Sequence, residues 1–174
     1  MRAFISGVFT SVFFAASVFA QAHAPGGKPI SHKIKILSHQ AVPMRDGVKL
    51  YADVYVPVAP GKYPVIVIRT PYGVQREGMF DDAGPFAQSG FAVVFQDVRG
   101  RYESEGKWDP FRNEGRDGYD TIEWAAKQPW SNGKVAMQGG SYLGHVQWAA
   151  LPVKTVLELF VVLSALEQRQ HLIV

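Results

Sequence analysis

No cysteine occurs among the 174 residues. That excludes a disulfide scaffold, a Cys-ligated zinc or iron–sulfur site and a thiol nucleophile. It leaves the compartment open, because an exported chain need not carry disulfides. Charge is scarce as well. Asp, Glu, Lys and Arg together make up 19%, and 18 Lys+Arg against 15 Asp+Glu leave +3 with no basic run. Nucleic acid is therefore not an expected partner. No internal repeat and no low-complexity tract is present. The Gly/Arg-rich stretch after Asp97 has neither the G-x-x-x-x-G-K-[ST] nor the G-x-G-x-x-G spacing of a phosphate cradle.

What the chain does have is apolar residues, 47% of the total. That is enough to give one domain a core. Part of it belongs to a leader. Met1-Arg2 is a short positive start, and residues 3–19 are apolar or small and uncharged. Val18-Phe19-Ala20 and Ala20-Gln21-Ala22 place small residues where a signal peptidase needs them. We read residues 1–20 as a signal peptide cut after Ala20 or Ala22, with export to the periplasm or beyond and no stable membrane insertion afterwards. The alternative is an uncleaved anchor, which the length would allow and the cleavage-type ending argues against. Residues 21–32 read as a flexible mature N-terminus.

Residues 34–42 read as a strand. Arg45-Asp46-Gly47 is a turn, and residues 48–56 alternate with period two, so the pair forms an antiparallel hairpin. Val65-Ile66-Val67-Ile68 and Phe91-Ala92-Val93-Val94-Phe95 are unbroken apolar runs, the mark of strands buried on both faces. Helices are expected at 80–88, 114–128 and 142–151, with a short strand at 134–138. Tyr119, Ile122, Ala125 and Ala126 are expected on the inner face of the second helix. The order β-β-β-α-β-α-β-α implies an α/β fold, a mostly parallel sheet with an antiparallel hairpin at one edge.

The last strand runs into Gly139-Gly140-Ser141-Tyr142-Leu143-Gly144. A nucleophile elbow needs small residues around its serine, because the strand-to-helix turn is strained and closely packed. The N–H of Tyr142 would then sit at a helix N-terminus, where partial positive charge favours an oxyanion. The strict pattern G-x-S-x-G fails, since its second glycine arrives one position late. A Gly-rich turn with Ser141 as a helix cap stays open on this motif alone.

More blocks recur in register. They include Met44-Arg45-Asp46-Gly47-Val48-Lys49-Leu50 with Ala52-Asp53, and Arg69-Thr70-Pro71-Tyr72-Gly73. Further on stand Asp97-Val98-Arg99-Gly100-Arg101 with Ser104-Glu105-Gly106, and Asp117-Gly118-Tyr119-Asp120-Thr121-Ile122-Glu123-Trp124. Gln128-Pro129-Trp130-Ser131-Asn132-Gly133-Lys134-Val135 leads into the elbow. With these blocks, residues 43–151 resemble the α/β-hydrolase family of cocaine esterase and the X-prolyl dipeptidyl aminopeptidases. In that family the elbow is G-x-S-Y-x-G, so Leu143 is no departure.

The resemblance implies Ser141 as nucleophile, the Tyr142 N–H as one oxyanion donor and the Tyr72 hydroxyl as the second. The substrate would be a small ester or amide, or an X-Pro peptide, with no metal and no organic cofactor. Without the resemblance, Tyr72 would read as a turn tyrosine on the surface. Asp97 reads as part of an Asp/Arg network holding a loop rather than as a triad acid, and His145 as a helix-face histidine.

A serine nucleophile also needs a base and an orienting acid, in the chain order Ser, Asp/Glu, His. After Ser141 the acids are Glu158 and Glu167 and the histidines are His145 and His171. Using Glu158 and His171 would demand a rearranged fold. Residues 152–174 form an apolar tail without counterpart in the blocks, either a helix or the start of the next strand. The expectation is residues 33–151 as the N-terminal part of an α/β-hydrolase domain, truncated before the triad Asp and His. An inactive fragment or a secreted binding module is the alternative.

Overall fold

The computed structural model describes residues 31–75, 79–150 and 160–162. The leader at 1–20, nearly all of the 21–32 segment and most of the 152–174 tail lie outside them. Six strands and three helices follow in the order β1 (Ile34–Pro43), β2 (Lys49–Pro57), β3 (Tyr63–Thr70), α1 (Met79–Gln88), β4 (Ala92–Asp97), α2 (Glu114–Ala126), β5 (Ser131–Gln138), α3 (Tyr142–Ala150) and β6 (Phe160–Val162). In the tail, the strand reading holds for these last three residues, which pair in parallel with β5.

The sheet order is β1-β2-β4-β3-β5-β6. β1–β2 and β2–β4 are antiparallel, while β3–β4, β3–β5 and β5–β6 are parallel. This is an α/β-hydrolase-type mixed sheet with its antiparallel strands at one edge, as the hairpin pattern implied. From β3 the chain crosses to β4 on one side. From β4 it returns to β5 on the other side, and continues outward to β6. The gap between β3 and β5 is therefore a topological switch point, where open α/β sheets form a crevice at the carboxyl ends of their strands.

Alternation within the apolar strands fills both faces of the sheet. Val65, Val67 and Val94 pack with Ile122, Ala125, Val146 and Ala150 of α2 and α3. Ile66, Ile68, Val93 and Phe95 pack on the other face with Ala83 and Ala87 of α1. α2 and α3 approach closely, and a Cβ added at Gly118 would lie 2.9 Å from the Ala150 Cβ.

The inner face of α2 differs from its apolar expectation. Ile122 and Ala125 are buried, but Tyr119 and Ala126 are only half-buried, and Glu114, Asp117 and Thr121 face inward instead. The reason is two arginines that α2 must neutralise. Arg69 of β3 is fully buried and pairs with Glu114 at 2.8 Å. Arg99 pairs with Asp117 at 2.7 Å and with Asp46 at 2.9 Å. A buried charge without a partner is prohibitively costly, so the helix turns its acids toward the sheet.

Candidate active site

The elbow follows from the length of one turn. After β5, Gly139 takes φ +138, and a Cβ there would fall 2.3 Å from the Leu143 Cβ. Only glycine fits. Ser141 has φ +55, a region that non-glycine residues seldom enter and where functional serines of strand-to-helix turns sit. The turn is held from below by Gln147, whose Nε2 donates to Gly139 O at 2.8 Å and to Leu143 O at 3.0 Å. The Ser141 side chain is left exposed. In the helix, the N–H of Leu143 reaches Gly140 O, and those of Gly144 and His145 reach Ser141 O. The Tyr142 N–H stands ahead of these, among the unpaired donors that a helix start presents.

Tyr72 lies two residues beyond β3, and Ser141 three beyond β5. The two strands are neighbours, with Val67 opposite Met137. Both residues thus follow the carboxyl ends of adjacent strands, on either side of the switch point. Tyr72 is 47% exposed, and its N–H donates to Thr70 Oγ1 at 3.1 Å.

Under the elbow runs a polar chain that sequence reasoning missed. The Tyr142 hydroxyl donates to Glu114 Oε1 at 2.7 Å. Glu114 Oε2 pairs with Arg69 Nη1, and Arg69 Nε donates to Gln96 Oε1 at 2.9 Å. Burial, then the hydrogen bond and charge of Glu114, push the Tyr142 phenol above its ordinary pKa, so it remains a donor. The available hint was an arginine closing the run Val-Ile-Val-Ile-Arg, together with polar residues at 114, 117 and 121 along one helix face.

Asp97 ends β4, with β3 between it and the elbow strand. Its Oδ1 accepts the Val74 N–H at 3.0 Å, so it holds a loop, as expected. The Asp/Arg network expected around it forms instead between Arg99 and the acids Asp46 and Asp117. Burial raises the Asp97 carboxyl to about 7, against the lowering effect of the Val74 bond and with help from the negative charges of Asp53 and Glu103. Gly73, Val74, Gln75, Asp97, Tyr102 and Glu103 line a cavity of about 220 Å³ beside the Tyr72 turn. His145 is exposed on α3, with its ring edge-to-face on Phe111 at 4.7 Å, the helix-face position expected of it. Among the described residues no cluster of three or more His, Cys, Asp or Glu is placed to hold a metal ion, and no helix is long and apolar enough to cross a membrane.

A family model described as X-Pro dipeptidyl-peptidase (S15 family) matches residues 46–171. The match continues into the tail that the sequence blocks leave unmatched. Over 123 residues the chain is 41% identical to the cocaine esterase of Rhodococcus sp. (strain MB1 Bresler), covering 66% of this chain and 21% of that protein. A CocE/NonD family hydrolase from Staphylococcus aureus superposes with TM-score 0.64 at 31% identity, covering 69% of this chain and 25% of that one. An α-amino acid ester hydrolase gives TM-score 0.60 at 32% identity, with 82% and 26% covered. The chain thus spans a fifth to a quarter of the length of these relatives.

Proposed function

The chain belongs to the X-Pro dipeptidyl-peptidase (S15) family, whose relatives here are serine hydrolases, and we propose that it carries the nucleophile and oxyanion half of an acyl-transfer site. Ser141 Oγ attacks an ester or amide carbonyl and passes its proton to a base supplied from outside the described residues, and that base returns the proton to the alcohol or amine as the C–O or C–N bond breaks and the acyl-enzyme forms. The Tyr142 N–H and the Tyr72 hydroxyl hold the developing oxyanion, and water then hydrolyses the acyl-enzyme. The observation that supports this most is the left-handed backbone of Ser141 at the switch point, between a glycine with no room for a Cβ and a helix start. The substrate class is a small ester or amide or an X-Pro peptide, and no metal or organic cofactor takes part.

Labelling by a fluorophosphonate probe tests the reading. The chain is expected to label, Ser141→Ala to abolish labelling, and Tyr72→Phe to slow it by about 10²–10³, as loss of one oxyanion donor does. A folded chain that fails to label would instead favour an inactive fragment or a non-catalytic binding module. Export through residues 1–20 belongs to the same proposal and is supported by the leader's sequence pattern. N-terminal sequencing of the exported product should begin at Gln21 or His23, and a retained Met1 would overturn it.

A further inference from the structure

Tyr72 and the elbow stand on different strands, and one side chain touches the supports of both. Arg101 Nε donates at 3.0 Å to the carbonyl of Pro71, the residue before Tyr72. Its Cζ stands 5.2 Å from the Tyr102 ring and 5.2 Å from the Trp108 ring. The Tyr102 ring lies against Gly73, the residue after Tyr72, so closely that a Cβ there would fall 2.9 Å from the ring. The Trp108 ring faces the Tyr142 ring, with centroids 5.9 Å apart. Arg101 therefore reaches Tyr72 through both of its chain neighbours and reaches the elbow through Trp108.

The segment that presents Arg101 is itself closed. Val98 N–H donates to Thr70 O, Gly100 N–H to Glu105 O and Ser104 N–H to Arg101 O, and the Ser104 hydroxyl donates to Asp97 O at 2.7 Å. A Cβ at Gly100 would fall 2.1 Å from the Trp108 N, so the two sides of this loop are in direct contact. Among the described residues, no carboxylate pairs with Arg101. What it contributes is a flat guanidinium against two rings and one directed hydrogen bond. A lysine offers neither the plane nor the Nε.

We propose that Arg101 is a positioning residue that fixes the Tyr72 hydroxyl relative to Ser141. The proposal rests on the acyl-transfer reading above. An oxyanion donor works only within ~2.7–3.1 Å of the developing charge, and a displacement of about 1 Å can cost on the order of 10²-fold in rate.

The test measures Ser141 labelling rate, kcat and KM on p-nitrophenyl acetate, and amide exchange at Tyr72, Gly73 and Val74, with far-UV circular dichroism as a fold check. Arg101→Ala is expected to lower labelling and kcat about 10- to 100-fold while KM stays within about twofold. Arg101→Lys should recover little of the loss. In a Tyr72→Phe background, Arg101→Ala should add less than about threefold, because the donor it positions is gone. Exchange at the three amides should accelerate while β3 stays protected. An unchanged labelling rate, full rescue by lysine or an undiminished effect in the Tyr72→Phe background would each overturn the proposal. If the unsubstituted chain shows no Ser141-dependent labelling, the acyl-transfer reading fails. Amide exchange then decides the matter: acceleration supports Arg101's hold on the turn, and no change refutes it.

Discussion

Replacing Glu114 with alanine removes one carboxylate and orphans two partners. Arg69 keeps its charge with no exposed side-chain surface, at an ion-pair distance of 2.8 Å that is now empty of an anion. The Tyr142 hydroxyl loses its acceptor at 2.7 Å. Breaking a buried pair from one side typically costs about 3–5 kcal/mol, and a lost hydrogen bond adds about 1 kcal/mol. The sum, on the order of 4–6 kcal/mol, is a large share of the ~5–15 kcal/mol that stabilises an ordinary domain.

Urea unfolding followed by tryptophan fluorescence and circular dichroism measures the loss. With a slope of about 1.5 kcal/mol/M, the midpoint should fall by roughly 3 M. The cause can be isolated by removing the charge as well. Arg69→Met with Glu114→Leu removes both ions of this pair and should unfold within about 2 kcal/mol of the parent, since apolar replacements of buried pairs are often neutral or better. A Glu114→Ala cost below about 1 kcal/mol would refute the reasoning. So would a double variant no more stable than Glu114→Ala.

Two further predictions concern the neighbouring turns. Asp97 titrates near 7 when folded against an ordinary 3.8, so the folded chain binds the extra proton. Its contribution is complete below pH ~4 and is lost as pH rises toward and through 7, on the order of 4 kcal/mol at about 1.4 kcal/mol per pKa unit. Asp97→Asn should flatten the fall of urea midpoints between pH 5 and 8 and raise the midpoint at pH 8, and an unaltered slope would count against the assignment. Gly139→Ala sets a Cβ 2.3 Å from the Leu143 Cβ at φ +138. It should cost at least ~2 kcal/mol in the same assay and abolish Ser141 labelling, whereas a stable, labelling variant would show that the turn has room to yield.

The parts of the fold that were legible in the sequence are those where one local pattern decides. Unbroken apolar runs mark β3 and β4, the Asp-Gly turn marks the β1–β2 hairpin, and glycines around Ser141 mark the elbow. Tyr72 draws its expected role from the family blocks alone, for composition and spacing make it a surface turn tyrosine, and it is 47% exposed. Long-range demands hid the rest. Which way α2 faces depends on Arg69 and Arg99, arginines that lie outside it in the sequence, so helical periodicity pointed to Tyr119 and Ala126. The left-handed backbones of Tyr102 and Phe111, at φ +49 and +69, fall before and after Lys107 and Trp108, where the chain returns against Gly100. No propensity announces them. Arg101 looked like one more charge in a Gly/Arg-rich loop until both its rings and the Pro71 carbonyl were in place.

The strand order β1-β2-β4-β3-β5-β6 also sets a timetable for synthesis. β3 is complete at residue 70, and β4 can pair with it soon afterwards. The other edge of β3 waits for residues 131–138. At roughly 5–20 residues per second, that interval is about 3–14 s. Throughout it, the backbone donors and acceptors on one side of Val65–Ile68 have no strand to meet, and the neighbouring side chains are entirely apolar. An edge of that kind is where chains pair with the wrong partner. The switch point between β3 and β5 in the finished sheet is thus, during synthesis, a place where a nascent chain needs shielding from its neighbours.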